Sequence, residues 1–367
     1  MSLWDDLREE RKRQDLWRDL SDVQWRRGAL IGIDGKSYVD FASNDSLGLG
    51  QNVAHIHAEG GAGASRLITG NHHAILEAEQ KMAHWMGFES ALFFPSGWQA
   101  NVSLMGGVFI EGDRVASDAL NHASIVDGLK LSRCQREILP HGSAEAALDA
   151  SRRGAKAVVV ESLFSVDGDF YPLKKLRDGL RNTHTLLIVD EAHAVGVHGE
   201  GGRGLMGPQE REEDLKIVTA SKTLGAQGGF VLCSRRCREV LVNVCRGFIY
   251  STGVSPLLAT LVSSQIDRIR ASATGADALL SMARDLHDRL SSMGLELLSH
   301  RGSHIITLDF ANHDEGRALH RALLDKGLRT GFLRYPTVPK GRSRIRISLN
   351  IHHTPEQIKT LCGVIRG

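Results

Sequence analysis

Residues 185–229 read TLLIVDEAHAVGVHGEGGRGLMGPQEREEDLKIVTASKTLGAQGG and contain two short apolar runs, each followed closely by polar side chains. The apolar runs are 186–189 and 217–218, and the polar residues after them are Asp190, His193, Thr219, Ser221 and Lys222. In an open parallel sheet, ligands bind beyond the carboxyl ends of the strands. The pattern therefore predicts that a carboxylate, an imidazole, two hydroxyl groups and an amine surround one crevice.

This set of side chains suits a phosphorylated aldehyde cofactor. A lysine such as Lys222 can form a Schiff base with pyridoxal 5'-phosphate, and an aspartate such as Asp190 can keep the pyridine nitrogen protonated. The protonated ring then acts as an electron sink. Taken singly, Asp190 could equally cap a helix and Lys222 could be a solvated surface lysine. The prediction therefore depends on finding both residues at successive strand ends.

Two other motifs in this stretch point to nucleotides. Residues 190–193 spell the DEAH of nucleic-acid helicases, but that function requires the loop G-x-x-x-x-G-K-[ST] earlier in the chain. The Gly-Lys-Ser at 35–37 has Leu30 in place of the first glycine. Residues 199–204 match the dinucleotide motif G-x-G-x-x-G, but they lead into Leu-Met-Gly-Pro, which is a poor start for a helix. We interpret them as a flexible turn.

The composition restricts the other classes of function. The chain has 367 residues, with 45 Lys and Arg against 43 Asp and Glu, and its net charge of +2 gives no general reason to bind nucleic acid or an anionic membrane. It has no apolar run long enough to span a bilayer, and its N-terminal segment lacks the apolar core of a secretory signal. The five cysteines include no C-x-x-C pair, so we expect reduced thiols, no metal site and a cytoplasmic location.

The N-terminal part of the chain combines helical and hairpin signals. Leucines spaced by four predict a helix over 3–20. The apolar runs on either side of Asp34-Gly35 predict a β-hairpin. A further helix is predicted from the spacing of four core-facing residues, Ile75, Ala78, Met82 and Met86.

Two strand ends in the middle of the chain carry further candidates. The strand predicted at 91–94 leads into a helix whose first N–H groups, at Gly97 and Trp98, can bind a phosphate. His122 lies just past the strand predicted at 115–117, where an imidazole can stack on an aromatic ring. An ordinary strand-to-helix turn and a helix-capping histidine are the alternatives at these two positions.

Strands alternate with helices up to about residue 250, which indicates an α/β domain with a mostly parallel sheet. From residue 255 the pattern changes to long helical stretches followed by short strands. The domains expected from this change are an N-terminal helix and hairpin segment (1–45), a large domain (46–250) and a smaller α+β domain (251–367). In the last of these, alternation along a strand places Arg344 and Arg346 on one face, where an arginine can bind a carboxylate or face solvent.

The order of several motifs is similar to that of a known family. The motifs are NDSLGL (44–49), SGWQAN (96–101), DALNHAS (118–124), ESLFSVDGD (161–169), VDEAHAVGVHGEGGRG (189–204), TASK (219–222), IYSTG (249–253), YPTVPKG (335–341) and RIRISL (344–349). They resemble the α-oxoamine synthases, fold-type I pyridoxal phosphate enzymes that join an amino acid to an acyl thioester with loss of carbon dioxide. The resemblance covers nearly the whole chain.

Two branches of this family remain open. The sequences at 96–98, 249–252 and 336–339 are most similar to the 8-amino-7-oxononanoate synthases of biotin biosynthesis, whereas those at 118–128 and 353–358 are similar to glycine C-acetyltransferases. The first resemblance implies that L-alanine condenses with a pimeloyl thioester, carried by coenzyme A or by an acyl carrier protein. A non-catalytic partner subunit is a further alternative, although such subunits lack the Schiff-base lysine.

The resemblance implies a role for each candidate residue. Lys222 would form the Schiff base and remove the Cα proton, Asp190 would pair with the pyridine nitrogen, and His193 would reach the ring hydroxyl. His122 would stack on the ring and donate to the thioester oxygen. The residues around the cofactor and its phosphate would be Gly97, Trp98, Ser165, Thr219 and Ser221, and those near the substrate would be Arg18, Asn44, Thr337 and Arg346.

The family also implies a quaternary structure. Its sites lie at a dimer interface, so we expect a homodimer in which Thr252 serves the phosphate of the neighbouring subunit. The chain departs from the family in the connection between Leu49 and Gly63, which is shorter than in other members. The resemblance therefore does not determine the shape of the acyl entrance. Trp98 is also bulkier than the aromatic residue usual at its position.

Overall fold

The structure is a computed structural model that describes residues 2–51, 53, 55–271 and 274–367. Its strands are β1 (Val23–Arg27), β2 (Leu30–Ile33), β3 (Lys36–Phe41), β4 (Ser90–Phe94), β5 (Arg114–Asp118), β6 (Gln135–Leu139), β7 (Ala157–Glu161), β8 (Leu186–Asp190), β9 (Asp214–Thr219), β10 (Gly229–Cys233), β11 (Ile305–Phe310), β12 (Leu328–Leu333) and β13 (Ser343–Ser348). Its helices are α1 (Leu3–Arg13), α2 (His73–Met86), α3 (Gly97–Val108), α4 (Ala123–Leu131), α5 (Ala144–Arg152), α6 (Leu173–Leu180), α7 (Arg235–Val244), α8 (Arg246–Ile249), α9 (Pro256–Ala271), α10 (Thr274–Ser292), α11 (His313–Asp325) and α12 (Pro355–Arg366).

The larger sheet has the order β4-β10-β9-β8-β7-β5-β6. The five strands from β9 to β6 run parallel, and β10 pairs antiparallel with both β9 and β4. Alternate residues of β7 enter two separate apolar clusters, Val158 and Val160 on one face and Val159 on the other. Both faces are therefore buried, as expected for a parallel sheet between helices. The predicted α/β class is confirmed.

The smaller sheet has the order β1-β2-β3-β12-β13-β11, so it combines the N-terminal hairpin with the C-terminal strands. The hairpin turns at Asp34 and Gly35, whose positive φ angles of 49° and 76° suit the two-residue turn that the sequence predicts. The boundaries at 45 and 250 stay a prediction. The pairing of β3 with β12 nevertheless shows that the hairpin shares its sheet with the C-terminal strands.

The predicted helix over 3–20 is too long. α1 ends at Arg13, and Asp15 adopts a left-handed φ of 54°, through which an α-helix cannot continue. The Asp15 carboxylate lies 2.7 Å from the guanidinium of Arg317 in α11. This ion pair attaches the segment after α1 to the smaller sheet's helix, while α1 itself buries none of its side chains.

Two other predicted helical regions are confirmed. α2 buries the four residues Ile75, Ala78, Met82 and Met86. α9 and α10 form the long helical stretch predicted after residue 255. In the part of the chain that the structure describes, no helix combines the length and apolar character needed to cross a membrane.

Candidate active site

A cavity of about 240 Å³ lies beyond the carboxyl ends of β7, β8 and β9. Its walls are formed by Ser96, Gly97, Trp98, Asn101, His122, Ser124, Glu161, Asp190, Ala192, Ile217, Thr219, Ser221 and Lys222. Seven of the ten predicted cofactor residues are thus brought together in one space. A larger groove of about 690 Å³ lies beside Glu79 and Arg238, away from these strand ends, and those two side chains pair with each other.

Lys222 follows β9 and meets His193, which follows β8. The Lys222 Nζ atom lies 2.7 Å from His193 Nε2. Burial lowers the pKa of Lys222 to about 8, and the charges of Asp190 and Glu161 oppose this shift. Burial and the nearby Lys222 charge also lower the pKa of His193 well below its usual value. Lys222 therefore loses its proton much closer to neutral pH than an ordinary lysine does, as a Schiff-base lysine or general base requires.

Asp190 is the last residue of β8 and accepts hydrogen bonds from two donors. Its Oδ2 atom accepts from Asn101 Nδ2 at 2.8 Å, and its Oδ1 atom accepts from the backbone N–H of Ala192 at 2.9 Å. Asn101 also donates to Ser124 Oγ at 3.0 Å, which fixes the amide. The carboxylate is thereby held in one orientation in the buried wall of the cavity.

His122 is the N-cap of α4 and also lines the cavity. Its Nδ1 atom accepts from the backbone N–H of Ser124 at 3.3 Å. Burial lowers the pKa of His122, Asp190 opposes the shift, and Lys222 adds to it. A neutral imidazole that accepts at Nδ1 carries its proton on Nε2, so His122 has a donor for the cavity. The Trp98 ring meets it edge-on, with 5.8 Å between ring centroids. His122 therefore both caps α4 and lines the cavity, and its catalytic role stays a prediction.

The start of α3 and the loop after β9 form a corner that suits an anion. Ser96 caps α3 by accepting from the Gln99 N–H at 3.0 Å, and the first residues of the helix line the cavity. Gly97 packs so closely on Thr219 that an added Cβ would lie 3.2 Å from that side chain. Thr219 Oγ1 lies 2.7 Å from Ser221 Oγ. Helix N–H groups, the positive end of the helix dipole and two hydroxyls together favour a phosphate.

Arg346 extends from β13 close enough to Lys222 for its charge to lower the pKa of that amine. Arg346 Nη2 donates to Asn44 Oδ1 at 2.9 Å, and its buried Nε has no hydrogen-bond partner among the described residues. Burial lowers the pKa of Arg346 to about 10, so the guanidinium is still charged at neutral pH. Its remaining donors suit a substrate carboxylate. Arg344, on the same strand face, is already paired with Asp167.

Seven predicted site residues are not part of the cavity wall, namely His193, Asn44 and Arg346, whose contacts are given above, and the following four. Ser165 is half-buried in the loop after β7. Thr252 is exposed and forms a backbone bridge with Ser65. Arg18 and Thr337 are exposed, one on the segment after α1 and the other in the loop after β12. The roles of all four stay predictions.

The short connection between Leu49 and Gly63 is described only in part, since Asn52 and Ala54 lie outside the described residues. At its start, the Asp45 carboxylate accepts from the backbone N–H groups of Leu49 and Gly50, both at 2.9 Å. These bonds fix the beginning of the connection. Its effect on the acyl entrance stays a prediction.

Sequence reasoning missed several residues at or near the cavity. Asn101 resembles an ordinary polar residue near a helix start, and Glu161 resembles the plain end of a strand. Glu161 nevertheless satisfies the strand-end rule that identified the rest of the site. His198 and His304 form a buried pair, with 3.1 Å between Nε2 and Nδ1, and His304 lies close enough to His193 to lower its pKa. No motif in the sequence signals this pair.

The two nucleotide-like motifs have structural roles. Glu191, the second residue of DEAH, is fully buried and accepts hydrogen bonds from Ser162 Oγ at 2.8 Å and from the N–H groups of Leu205 and Met206. Gly204 lies so close that an added Cβ would come within 2.5 Å of this carboxylate. Residues 199–204 therefore form a turn, as predicted, but one that packs around a buried acid.

Comparisons with known proteins identify the family of this chain. Residues 36–365 match the family described as Aminotransferase class I and II. The curated 8-amino-7-oxononanoate synthase of Marinobacter nauticus is 35% identical over 96% of this chain and 93% of that protein. The synthase of the same name from Mycolicibacterium smegmatis is 36% identical over 92% of this chain and 93% of that protein.

Solved structures share the whole architecture. Serine palmitoyltransferase from S. paucimobilis, with bound PLP, is 27% identical and superimposes with a TM-score of 0.90 over 100% of this chain and 98% of that chain. The 8-amino-7-oxononanoate synthase from Francisella tularensis is 25% identical, with a TM-score of 0.79 over 90% and 97%. The resemblance seen in the motifs is confirmed: the chain belongs to the aminotransferase class I and II family and, within it, to the fold-type I α-oxoamine synthases.

Proposed function

We propose that this protein is a pyridoxal 5'-phosphate enzyme that condenses L-alanine with a pimeloyl thioester, releasing carbon dioxide and a free thiol and giving 8-amino-7-oxononanoate for biotin biosynthesis. The observation that carries the proposal is the contact of Lys222 with His193 in the cavity that also holds Asp190. The choice of substrates is supported by the curated relatives at 35% and 36% identity, which are synthases of this product.

The cavity fits this cofactor in three ways. Lys222 offers an amine in the cavity wall for the aldehyde, and Asp190 offers a carboxylate for the pyridine nitrogen. The start of α3, with Thr219 beside Gly97, offers N–H and hydroxyl donors for the phosphate. When bound, pyridoxal 5'-phosphate supplies an electron sink for the electrons left at the amino-acid Cα.

Lys222 is the base of the proposed reaction. Its lowered pKa allows the amine to accept the Cα proton near neutral pH, and such general-base catalysis typically contributes about 10²- to 10⁴-fold in rate. The neutral His193 imidazole, 2.7 Å away, holds the amine in place through a hydrogen bond. The same proton can later be returned from Lys222 to the product.

Arg346 and His122 act on the two substrates. The Arg346 guanidinium, braced by Asn44, binds the amino-acid carboxylate and orients the Cα–H bond toward Lys222. The His122 Nε2–H donates to the thioester carbonyl oxygen, where negative charge develops as the new carbon–carbon bond forms. Trp98, edge-on to this imidazole, restricts the ring's movement.

We further propose that the enzyme is a homodimer. Several large apolar side chains are exposed, and one of them, Trp98, lines the cavity. The others include Leu67, Ile68, Leu120 and Tyr250. The last of these precedes the exposed Thr252, which bonds to the loop at Ser65 rather than entering its own cavity. Sedimentation of the holoenzyme should give the mass of two chains. A monomer with full activity would contradict this part of the proposal.

The location and acyl carrier belong to the same proposal. All five cysteines are free thiols, which fits a reducing compartment such as the cytoplasm. Either coenzyme A or an acyl carrier protein can deliver the pimeloyl group, and the two donors are compared in the experiment that follows.

The test is a matrix of amino acids and acyl donors assayed with the holoenzyme. Alanine, glycine and serine are each combined with pimeloyl, acetyl and palmitoyl thioesters, the pimeloyl group being supplied both on coenzyme A and on an acyl carrier protein, and product mass and free thiol are measured. We expect alanine with pimeloyl to give the highest kcat/KM. Turnover only of glycine with acetyl-CoA, or only of serine with palmitoyl-CoA, would instead assign the chain to glycine C-acetyltransferase or to a serine palmitoyltransferase.

Lys222→Ala is the matched control for the matrix. It removes both the covalent attachment and the base, so product formation should disappear and the absorbance of covalently bound cofactor should be lost. Product formation at the wild-type rate by this variant would remove the basis of the proposal.

A further inference from the structure

The cavity contains a second carboxyl group that the proposed function does not use. Glu161 is the last residue of β7, and its Cα is the parallel-strand partner of Asp190 at the end of β8. Residues paired in register on neighbouring strands project from the same face of the sheet. Both acids therefore point into one cavity, and Glu161 forms part of its wall with only 3% of its surface exposed.

The hydrogen bonding of Glu161 is incomplete. Its buried Oε1 atom has no hydrogen-bond partner within the described part of the chain. By contrast, the neighbouring buried acid Glu191 accepts bonds from Ser162, Leu205 and Met206. Buried polar atoms in native proteins are rarely left without a partner. Glu161 is a wall residue of the cavity, so a group that binds there can complete the hydrogen bonding of this side chain.

The two paired acids are held in different ways. The oxygens of Asp190 face N–H donors from Asn101 and Ala192, which is how a carboxylate is bound. No side chain donates a hydrogen bond to Glu161, and its ionised form is favoured by the Lys222 charge and by the backbone N–H groups of His122 and Ser165. Of two adjacent carboxyl groups, the one with fewer donors keeps its proton.

The charges around Glu161 agree with this difference. Burial raises the pKa of Glu161 to about 8, the charge of Asp190 adds to the shift, and Lys222 opposes it. The groups facing it are Asp190 from β8, Lys222 from the loop after β9 and the neutral His122 from the start of α4. One negative and one positive charge, on Asp190 and Lys222, then balance within the cavity.

We propose that Glu161 is a further functional residue of this site, a neutral carboxyl group that donates a hydrogen bond into the cavity and leaves Asp190 as the ionised partner of Lys222. Its acceptor is a lone pair on an oxygen or nitrogen atom of the bound cofactor or of the substrate joined to it. This inference rests on the geometry of the cavity and not on which substrates the enzyme takes.

Infrared spectroscopy of the cofactor-free protein tests the protonation directly. The difference between wild type and Glu161→Gln at pH 6.5 should contain the carbonyl band of a protonated carboxyl group. That band should disappear as the pH rises through about 8. Asp190→Asn is the matched control, since its difference spectrum should contain only carboxylate bands. A Glu161→Gln spectrum that loses only carboxylate bands would overturn the proposal.

Cofactor binding tests the donor. Glu161→Gln keeps an N–H donor of nearly the same shape, whereas Glu161→Leu has none, so the Kd for pyridoxal 5'-phosphate should rise about tenfold more in the leucine variant. Above pH 8 the cofactor affinity of the wild type should weaken relative to that of Glu161→Gln, because Lys222 titrates in both proteins and Glu161 only in the wild type. Equal Kd values in the two variants would show that Glu161 only fills space. If the leucine variant does not fold, the infrared titration decides alone.

Discussion

Lys222 and His193 come within 2.7 Å of each other, although they follow different strands of the larger sheet. Both are bases whose pKa values burial lowers, Lys222 to about 8 and His193 well below its usual range. Two buried bases at this distance cannot both hold a proton without strong repulsion. Because the His193 pKa is the lower of the two, the pair holds one proton, on Lys222, below about pH 8, and keeping that charge in the folded protein costs stability.

Lys222→Met should reveal, in the cofactor-free protein, how much stability is lost by placing the Lys222 ammonium group in the cavity. Because the pKa falls from 10.5 to about 8 on folding, the unfolded chain binds more protons between these pH values and stability rises with pH there. At pH 7 the variant should be more stable than the wild type by roughly 1 to 3 kcal/mol. The gain should shrink as the pH rises from 8 to 10.5. Urea unfolding at several pH values measures it.

Lys216→Met is the matched control for that experiment. Burial lowers the pKa of Lys216 to about 8 as well, but its ammonium group donates to the carbonyl oxygens of Arg203 at 2.8 Å and Gly207 at 2.7 Å. Removing it leaves two partly buried carbonyl oxygens without this donor, so we expect a loss of stability at pH 7. Equal gains in both variants would mean that the cost is not particular to the Lys222 site.

Asn101→Ala should reduce turnover without unfolding the protein. The variant removes the 2.8 Å bond to Asp190, and a hydrogen bond to a charged group contributes about 1.5 to 3 kcal/mol. We expect kcat/KM to fall roughly tenfold to a hundredfold. Gln99→Ala, in the same helix, removes an amide that donates to the Gly247 carbonyl instead, and it should leave kcat/KM near the wild-type value. Similar losses in both would point to a general effect of damaging α3.

His141→Gln should destabilise the protein in a pH-dependent way. Burial acts to lower the pKa of His141, but hydrogen bonds to Asp118 and Asp169, at 2.8 and 2.9 Å, raise it to about 10. A pKa raised on folding contributes stability that is complete below about 6.5 and is lost as the pH rises through 10. At pH 6 the variant should be less stable by about 1 to 3 kcal/mol. Urea unfolding from pH 6 to 10 follows the difference.

His184→Gln is the control for that series. His184 is fully exposed and lies 3.5 Å from Glu213, so its loss should change stability little at any pH. A difference between wild type and His141→Gln that stays constant from pH 6 to 10 would argue against the ionised pair.

Gly204→Ala should destabilise the protein more than Gly201→Ala does, although both glycines lie in one loop. Their φ angles are 85° and 61°, so each alanine carries left-handed strain of about 1 to 2 kcal/mol. An added Cβ meets nothing within 4 Å at Gly201 but comes within 2.5 Å of Glu191 at Gly204. We expect the free energy of unfolding of Gly204→Ala to be lower than that of Gly201→Ala by roughly 1 to 3 kcal/mol. Equal melting temperatures would show that the Glu191 carboxylate moves aside at little cost.

The parts of the fold that depend on local contacts could be predicted from the sequence. The Asp34-Gly35 hairpin follows from turn residues between apolar runs, and α2 from helical spacing. The strands ending at Asp190 and Thr219 follow from apolar runs, since both are buried on two faces. The site residues at these strand ends could be predicted together with the strands, because the carboxyl ends of parallel strands meet at one edge of the sheet.

The remaining features depend on distant contacts. β1, with the sequence VQWRR, is an edge strand with mostly exposed side chains, so it shows no buried face in its sequence. The end of α1 depends on the ion pair between Asp15 and Arg317, three hundred residues apart in the chain. Asn101 was missed because a polar residue on a helix reveals its role only when its partner, Asp190, is seen beside it.

The parallel pairing of β3 with β12 also determines when the chain can finish its assembly on the ribosome. Leu328 of β12 lies opposite Val39 of β3, so the hairpin is made about 290 residues before its neighbour. At a synthesis rate of ~5 to 20 residues per second, one edge of β3 stays unpaired for on the order of 15 to 60 s. During that time the nascent edge can pair with strands of other chains. Expression yield should therefore depend on chaperones that act before translation ends.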